Sequence, residues 1–161
     1  MTAVAVTGHM DLANATVPLV RDALRETLKP FLADGLTGIS CIAKGSDSLF
    51  AEVVLELGGR LVVVLPSKDY RQKMVKPDHE ETFDRLMNAA TEVIVLDHET
   101  ANRAAYTDAN STLLGQADRL VAVWDGTPPS GKGGGTADTV LEARESGLAV
   151  SVVWPEGAAR G

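Results

Sequence analysis

The chain has 161 residues, enough for one domain that buries roughly 70% of its unfolded surface. Apolar residues make up 45% and charged residues 23%, as in ordinary globular chains, and with aromatics at only 4% the core must be aliphatic. The net charge of -7 argues against nonspecific binding to nucleic acid or anionic membrane, and the lone Cys41 excludes an intrachain disulfide framework or thiolate metal site.

In chain order, Thr2 to Thr7 reads as a first strand, and Gly8-His9-Met10-Asp11 turns out of it. Asn14 or Thr16 can cap the next helix, with Pro18 tolerated in its first turn. Val20, Leu24, Leu28, Phe31 and Leu32 keep the helical period, with a kink or early end at Pro30 and a last stop at Gly35. Leu36 to Ile42 is a second strand with Cys41 as a buried thiol, leading into Lys44-Gly45-Ser46-Asp47. A helix with Leu49, Phe50, Val53, Val54 and Leu57 inward closes at Gly58-Gly59, before a third strand from Arg60 to Leu65.

Pro66 to Pro77 is the least regular segment and carries Lys68, Arg71, Lys73 and Lys76, which suits a solvated loop or a lid over an anion. Asp78 and Glu81 have capping-box spacing at the start of a helix with Phe83, Leu86, Met87 and Ala90 inward. Val93 to Leu96 is a fourth strand ending in Asp97-His98, and a helix follows from about Ala101 to Gln116, with Tyr106 and Asn110 on one face. Leu120 to Trp124 is a fifth strand, stopped by Asp125-Gly126. After a loop with Lys132, Gly133-Gly134-Gly135-Thr136 opens the last helix, stopped at Gly147, and Leu148 to Trp154 is the sixth strand.

Strands without alternation, interleaved with helices, predict one α/β domain over residues 1–161. Its expected core is a Rossmann-like open parallel sheet of about six strands with helices on both faces. Ligands in such sheets bind beyond the strands' carboxyl ends, where the strand order reverses, expected here between the first and fourth strands. Gly8-His9, Lys44-Gly45, Asp97-His98, Asp125-Gly126 and the 133–136 loop reach that edge. The glycines abutting a helix start, with the Thr136 hydroxyl, form the arrangement that binds phosphate. The pattern is neither a dinucleotide fingerprint after the first strand nor a Walker loop.

GKGGGTAD resembles a relaxed P-G-G-x-G-T motif of the Lonely Guy phosphoribohydrolases. AKGSDSLFAEVVLELGGRLVVVLP resembles the L-A-x-G-I-D-x-x-A-H…G-G-x-x-x-x-V-L stretch of the DNA-processing protein Smf/DprA, and VTGHMDL resembles the V-T-G-H-R opening of some relatives. Both belong to the SMF/DprA–LOG (SLOG) superfamily of Rossmann-like domains. The resemblance, over residues 41 to 142, implies a site for a phosphorylated nucleoside and a homodimer. The phosphate would lie on Gly134, Gly135 and Thr136, with Gly8, His9 and Gly45 lining the cleft. Two departures touch the hydrolytic chemistry. Thr139 stands where the hydrolases carry an acid, with Asp138 one residue earlier, and the helix ending near Gln116 has no arginine after Arg103.

Asp138 therefore reads as a ribose-hydroxyl acceptor or a base, or simply as an acid in a helix's first turn. His9 and Asp125 are either site residues or turn residues; Lys44 pairs with phosphate or is solvated; Asn110 can hold a base edge or ribose. Two functions compete. One is a nucleotide-binding or sensing module without chemistry; the other is an N-glycosidase acting on a nucleoside monophosphate through Asp138 or Glu142. DNA binding of the Smf type ranks third. No cofactor, metal, nucleic-acid or membrane partner is expected, and the absence of a signal core predicts a cytoplasmic protein.

Overall fold

The computed structural model describes residues 1–131 and 135–161. Among them the chain forms one six-stranded, all-parallel sheet. The strands are β1 (Thr2–Gly8), β2 (Leu36–Ser40), β3 (Arg60–Leu65), β4 (Glu92–Val95), β5 (Arg119–Val123) and β6 (Ala149–Val153). The helices between them are α1 (Thr16–Leu28), α2 (Ser46–Glu56), α3 (Tyr70–Met74), α4 (Pro77–Ala89), α5 (Arg103–Gln116) and α6 (Thr136–Glu145). No helix among the described residues is long and apolar enough to cross a membrane.

The central strands β1, β3 and β5 carry apolar runs because both sheet faces are covered there, while Val93 and Val95 of the edge strand β4 stay exposed. Val4 and Val6 point to one side, with Val20, Leu24 and Leu28 of α1 and Phe50, Val53 and Val54 of α2. Ala5, Leu120 and Ala122 point to the other, against Ala109 and Leu113 of α5 and Val140 and Ala143 of α6. Beyond α2, Leu61, Val63 and Leu65 pack on Phe83 and Leu86 of α4. This period of two, buried on both faces, is what makes the strands read as continuous apolar runs.

The sheet order is β4-β3-β2-β1-β5-β6, which corrects the reversal expected between the first and fourth strands. Strand β5 pairs with β1 over Val4↔Arg119 to Gly8↔Val123, while β4 is the outer edge beside β3. The reversal therefore falls between β1 and β5, and Asp97-His98 end up at the far side of the sheet, where His98 Nε2 meets Asp108 Oδ2 at 2.5 Å. A four-residue apolar segment has no feature that distinguishes an edge from the centre, so this assignment depended on topology alone.

Three local expectations also change. Strand β2 stops two residues early because the buried Ile42 adopts φ 48°, an outlier for a β-branched residue. The 66–77 segment contains α3 and is tied into the core by buried Tyr70 and Val75, while Lys68 pairs with Glu99 and Arg71 with Asp84. Helix α4 starts at Pro77, one residue before the predicted cap, with no side-chain cap from Asp78.

Candidate functional site

Between the diverging loops after β1 and β5 lies a cleft of about 710 Å³, within the range of small-molecule sites. Gly8 ends β1 at its base, and Tyr106 and Asn110 of α5 form one wall, one helical turn apart. The opposite rim carries the Pro128–Ser130 loop and the start of α6.

His9 is buried and fixed from three directions. Its Nε2 lies 3.0 Å from the donating Asp125 backbone N–H and 3.1 Å from Asp125 Oδ1, and its ring meets Trp154 edge-on at 5.6 Å. Asp125 in turn accepts from the Thr127 hydroxyl at 2.6 Å and the Thr127 N–H at 2.9 Å. Those two bonds, with a smaller contribution from His9, lower the Asp125 carboxyl to about 2. His9 lines the cleft and Asp125 holds it from behind. Because the folded pKa is depressed, the stabilisation from Asp125 is present above the unfolded value near 4 and lost as pH falls toward 2. Urea melts of wild type and Asp125→Asn should therefore differ at pH 6 and converge between about pH 4 and 2.

The start of α6 presents Gly135 and Thr136 to the cleft. Gly135 is extended at φ -84°, and a Cβ there would meet nothing closer than Asp138 Oδ2 at 3.6 Å. The Gly135 N–H donates to Asp138 Oδ2 at 3.2 Å, so Asp138 caps its own helix while also lining the cleft. This cap supports the reading of Asp138 as a first-turn acid, and Asp138→Ala should cost about 1 kcal/mol in a chemical melt. Gly133 and Gly134 lie outside the described residues.

The floor holds groups the sequence reading passed over. Cys41, expected to be a buried thiol, is half-buried and lines the cleft; desolvation pushes its thiol up. Asp47, in the first turn of α2, lines the same floor near Tyr70. Enclosure raises its carboxyl to about 7, against the opposing effect of the Ala43 backbone bond. The strained Ile42 beside this floor is held at its carbonyl, with His79 Nε2 at 3.0 Å and the Ser48 hydroxyl at 3.2 Å. Arg160 also reaches the cleft, from the tail after β6. Asp47 was visible within the Lys44–Asp47 turn; nothing in the sequence pointed to Arg160.

The remaining predicted residues do not converge. Lys44 pairs with Asp78 at 2.7 Å on the surface, and Glu142 accepts from Ser111 at 3.0 Å away from the cleft lining. Gly45 is needed for packing: at φ +85° its Cβ would sit 2.6 Å from the Met10 carbonyl. Gly126, at φ +88°, turns the chain out of β5 in open space.

No protein-family model and no curated protein matches the chain. Solved structures do. DNA processing protein A (DprA) of Streptococcus pneumoniae superposes with a TM-score of 0.68 at 17% identity, over 98% of this chain and 52% of that one. DprA of Helicobacter pylori gives 0.68 at 14% identity, over 99% and 68%. The Moco carrier protein of Chlamydomonas reinhardtii gives 0.58 at 18% identity, over 96% and 78%. The chain shares the Rossmann-like fold of these proteins.

It spans about half the length of the pneumococcal DprA. One expectation is overturned by these neighbours. The Helicobacter DprA structure is described as a single-stranded DNA binding mode, so a SLOG fold does bind nucleic acid and the exclusion drawn from net charge does not hold. Net charge averages over the whole surface, whereas a strand is bound by a local groove.

Proposed function

We propose that the cleft binds a nucleotide or phosphorylated nucleoside, with no chemistry performed on it. The supporting observation is the meeting, at the β1/β5 reversal, of a helix start with a wall of polar and aromatic side chains. Thr136 at the start of α6 offers its hydroxyl beside Gly135 at one rim, and Tyr106, Asn110 and Asp47 offer stacking and hydrogen-bonding groups deeper in. The volume of about 710 Å³ suits a ligand of that size.

The glycosidase reading has less support. It needs an acid at the glycosidic bond, and of Asp138 and Glu142 only the first lines the cleft, where it already caps α6. Nucleoside 5′-monophosphates incubated with the protein should stay intact by chromatography; free base formed with turnover and lost in Asp138→Asn would restore the hydrolase.

The site is tested by calorimetry with the four ribonucleoside 5′-monophosphates, their nucleosides and a short single-stranded oligonucleotide, since a solved chain of this fold binds such a strand. At least one monophosphate should bind at least tenfold more tightly than its nucleoside. Gly135→Val should remain folded, because its φ is ordinary and the space is open, yet lose that preference. Equal binding by Gly135→Val and wild type would remove the α6 start from the site. Binding by the oligonucleotide alone would make the ligand a strand.

A further inference from the structure

We infer that Arg160 is the anion-binding side chain of this cleft, gripping the ligand's phosphate with the outer nitrogens of its guanidinium. The inference rests on the nucleotide reading of the same cleft and assigns its charge recognition. Among the described residues lining the cleft, Arg160 is the only lysine or arginine, against three carboxylates, Asp11, Asp47 and Asp138. The α6 start cannot carry an anion alone. A helix end is worth roughly half a positive charge, and Asp138 sets a full negative charge on that turn and occupies the Gly135 N–H. A dianionic phosphate therefore needs a cation from elsewhere.

The geometry of Arg160 leaves it able to supply one. Asp11 takes its Nε, at 2.9 and 3.1 Å to the two carboxylate oxygens. Its outer nitrogen Nη1 forms a long ion pair with Asp125 Oδ2 at 3.9 Å, beyond hydrogen-bond distance. Among the described residues no hydrogen bond engages the two outer nitrogens, which form the fork that matches phosphate. The tail itself is anchored. Leu12 and Arg160 form an antiparallel bridge, Ala13 N–H donates to the Ala159 carbonyl at 3.0 Å, and Ala159 N–H donates to Thr16 Oγ1 at 2.8 Å. Asp11 thus aims the guanidinium at the cleft from a fixed backbone, with its charge partly offset and its fork open.

Inorganic pyrophosphate, titrated by calorimetry at low salt and neutral pH, tests this without assuming a base. Wild type should bind it, Arg160→Gln should weaken it at least tenfold, and Arg160→Lys should fall between, keeping the charge without the fork. Asp11→Asn should bind at least as tightly as wild type, because it frees the guanidinium from its competitor. A merely structural clip predicts the opposite, with Asp11→Asn losing as much as Arg160→Gln. If Arg160→Gln fails to fold, Arg160→Lys and Asp11→Asn carry the same contrast. Lys132→Gln should lose less than Arg160→Gln.

The inference is overturned if wild type does not bind pyrophosphate, if Arg160→Gln binds within twofold of wild type, if Asp11→Asn loses equally, or if Lys132→Gln loses more. Nucleotide binding without any dependence on Arg160 would sink this inference and leave the nucleotide reading intact. Arg160-dependent pyrophosphate binding with no nucleotide binding would do the reverse.

Discussion

Gly8→Val should destabilise the protein by about 3 kcal/mol or more, whereas Gly135→Val should leave stability nearly unchanged. The two glycines look alike in the sequence, each at a loop that reaches the cleft. At Gly8, however, a Cβ would lie 2.5 Å from Ser46 Cβ, 2.7 Å from Ser46 Oγ and 2.8 Å from Val123 Cβ. β1, α2 and β5 meet there, and Ser46 is fixed by its hydroxyl bond to the His9 carbonyl at 2.7 Å. None of these atoms is the end of a flexible chain, so the added volume must separate elements of a close-packed core. Urea denaturation of both variants checks the contrast. Gly8→Val within about 1 kcal/mol of wild type would mean that the junction of β1, α2 and β5 is loose.

Asp47→Asn should stabilise the protein, and increasingly so as pH rises. The carboxyl titrates near 7 when folded but near 4 when unfolded, so the folded state binds the extra proton between those values. A raised folded pKa means that wild-type stability is highest below the unfolded value and declines as pH climbs through about 7. Asparagine keeps an oxygen for the Ala43 backbone contact and removes the enclosed charge. The gap between variant and wild type should widen on the order of 2–3 kcal/mol from pH 5 to 8, or roughly 5–10 °C in Tm. A gap independent of pH would show that this carboxyl ionises as it does in water.

Much of the fold could be read from local pattern. The apolar runs at Val4–Val6, Leu61–Leu65 and Leu120–Val123 are buried on both faces, and that double burial is what their lack of alternation encodes. The position of β4 was not readable, because strand order is decided by crossovers and not by composition. Within the cleft, Tyr106, Asn110, His9 and the α6 start were legible from spacing and from their places after strands or on one helical face. Arg160 was not, and Asp47 was visible only as part of the Lys44–Asp47 turn. The carboxyl of Asp47 is perturbed by its enclosure, which its place in a turn does not announce. Arg160 enters by a tail that pairs with residues about 150 positions away, a contact that no local pattern announces. Gly45 and Gly8 show the opposite failure, since a glycine required by packing looks the same in a sequence as one that admits a ligand.

The central claim, a nucleotide in the cleft between β1 and β5, is tested most directly by a melting-shift screen with nucleoside phosphates and their nucleosides. A ligand that binds only the folded state, at about a hundred times its Kd, adds about 2.7 kcal/mol and moves Tm by roughly 5–10 °C in a chain of this length. The account predicts such a shift for at least one nucleoside phosphate and none for the matching nucleoside. Phosphates and nucleosides that all leave Tm unchanged at millimolar concentration, or that shift it equally, would contradict it.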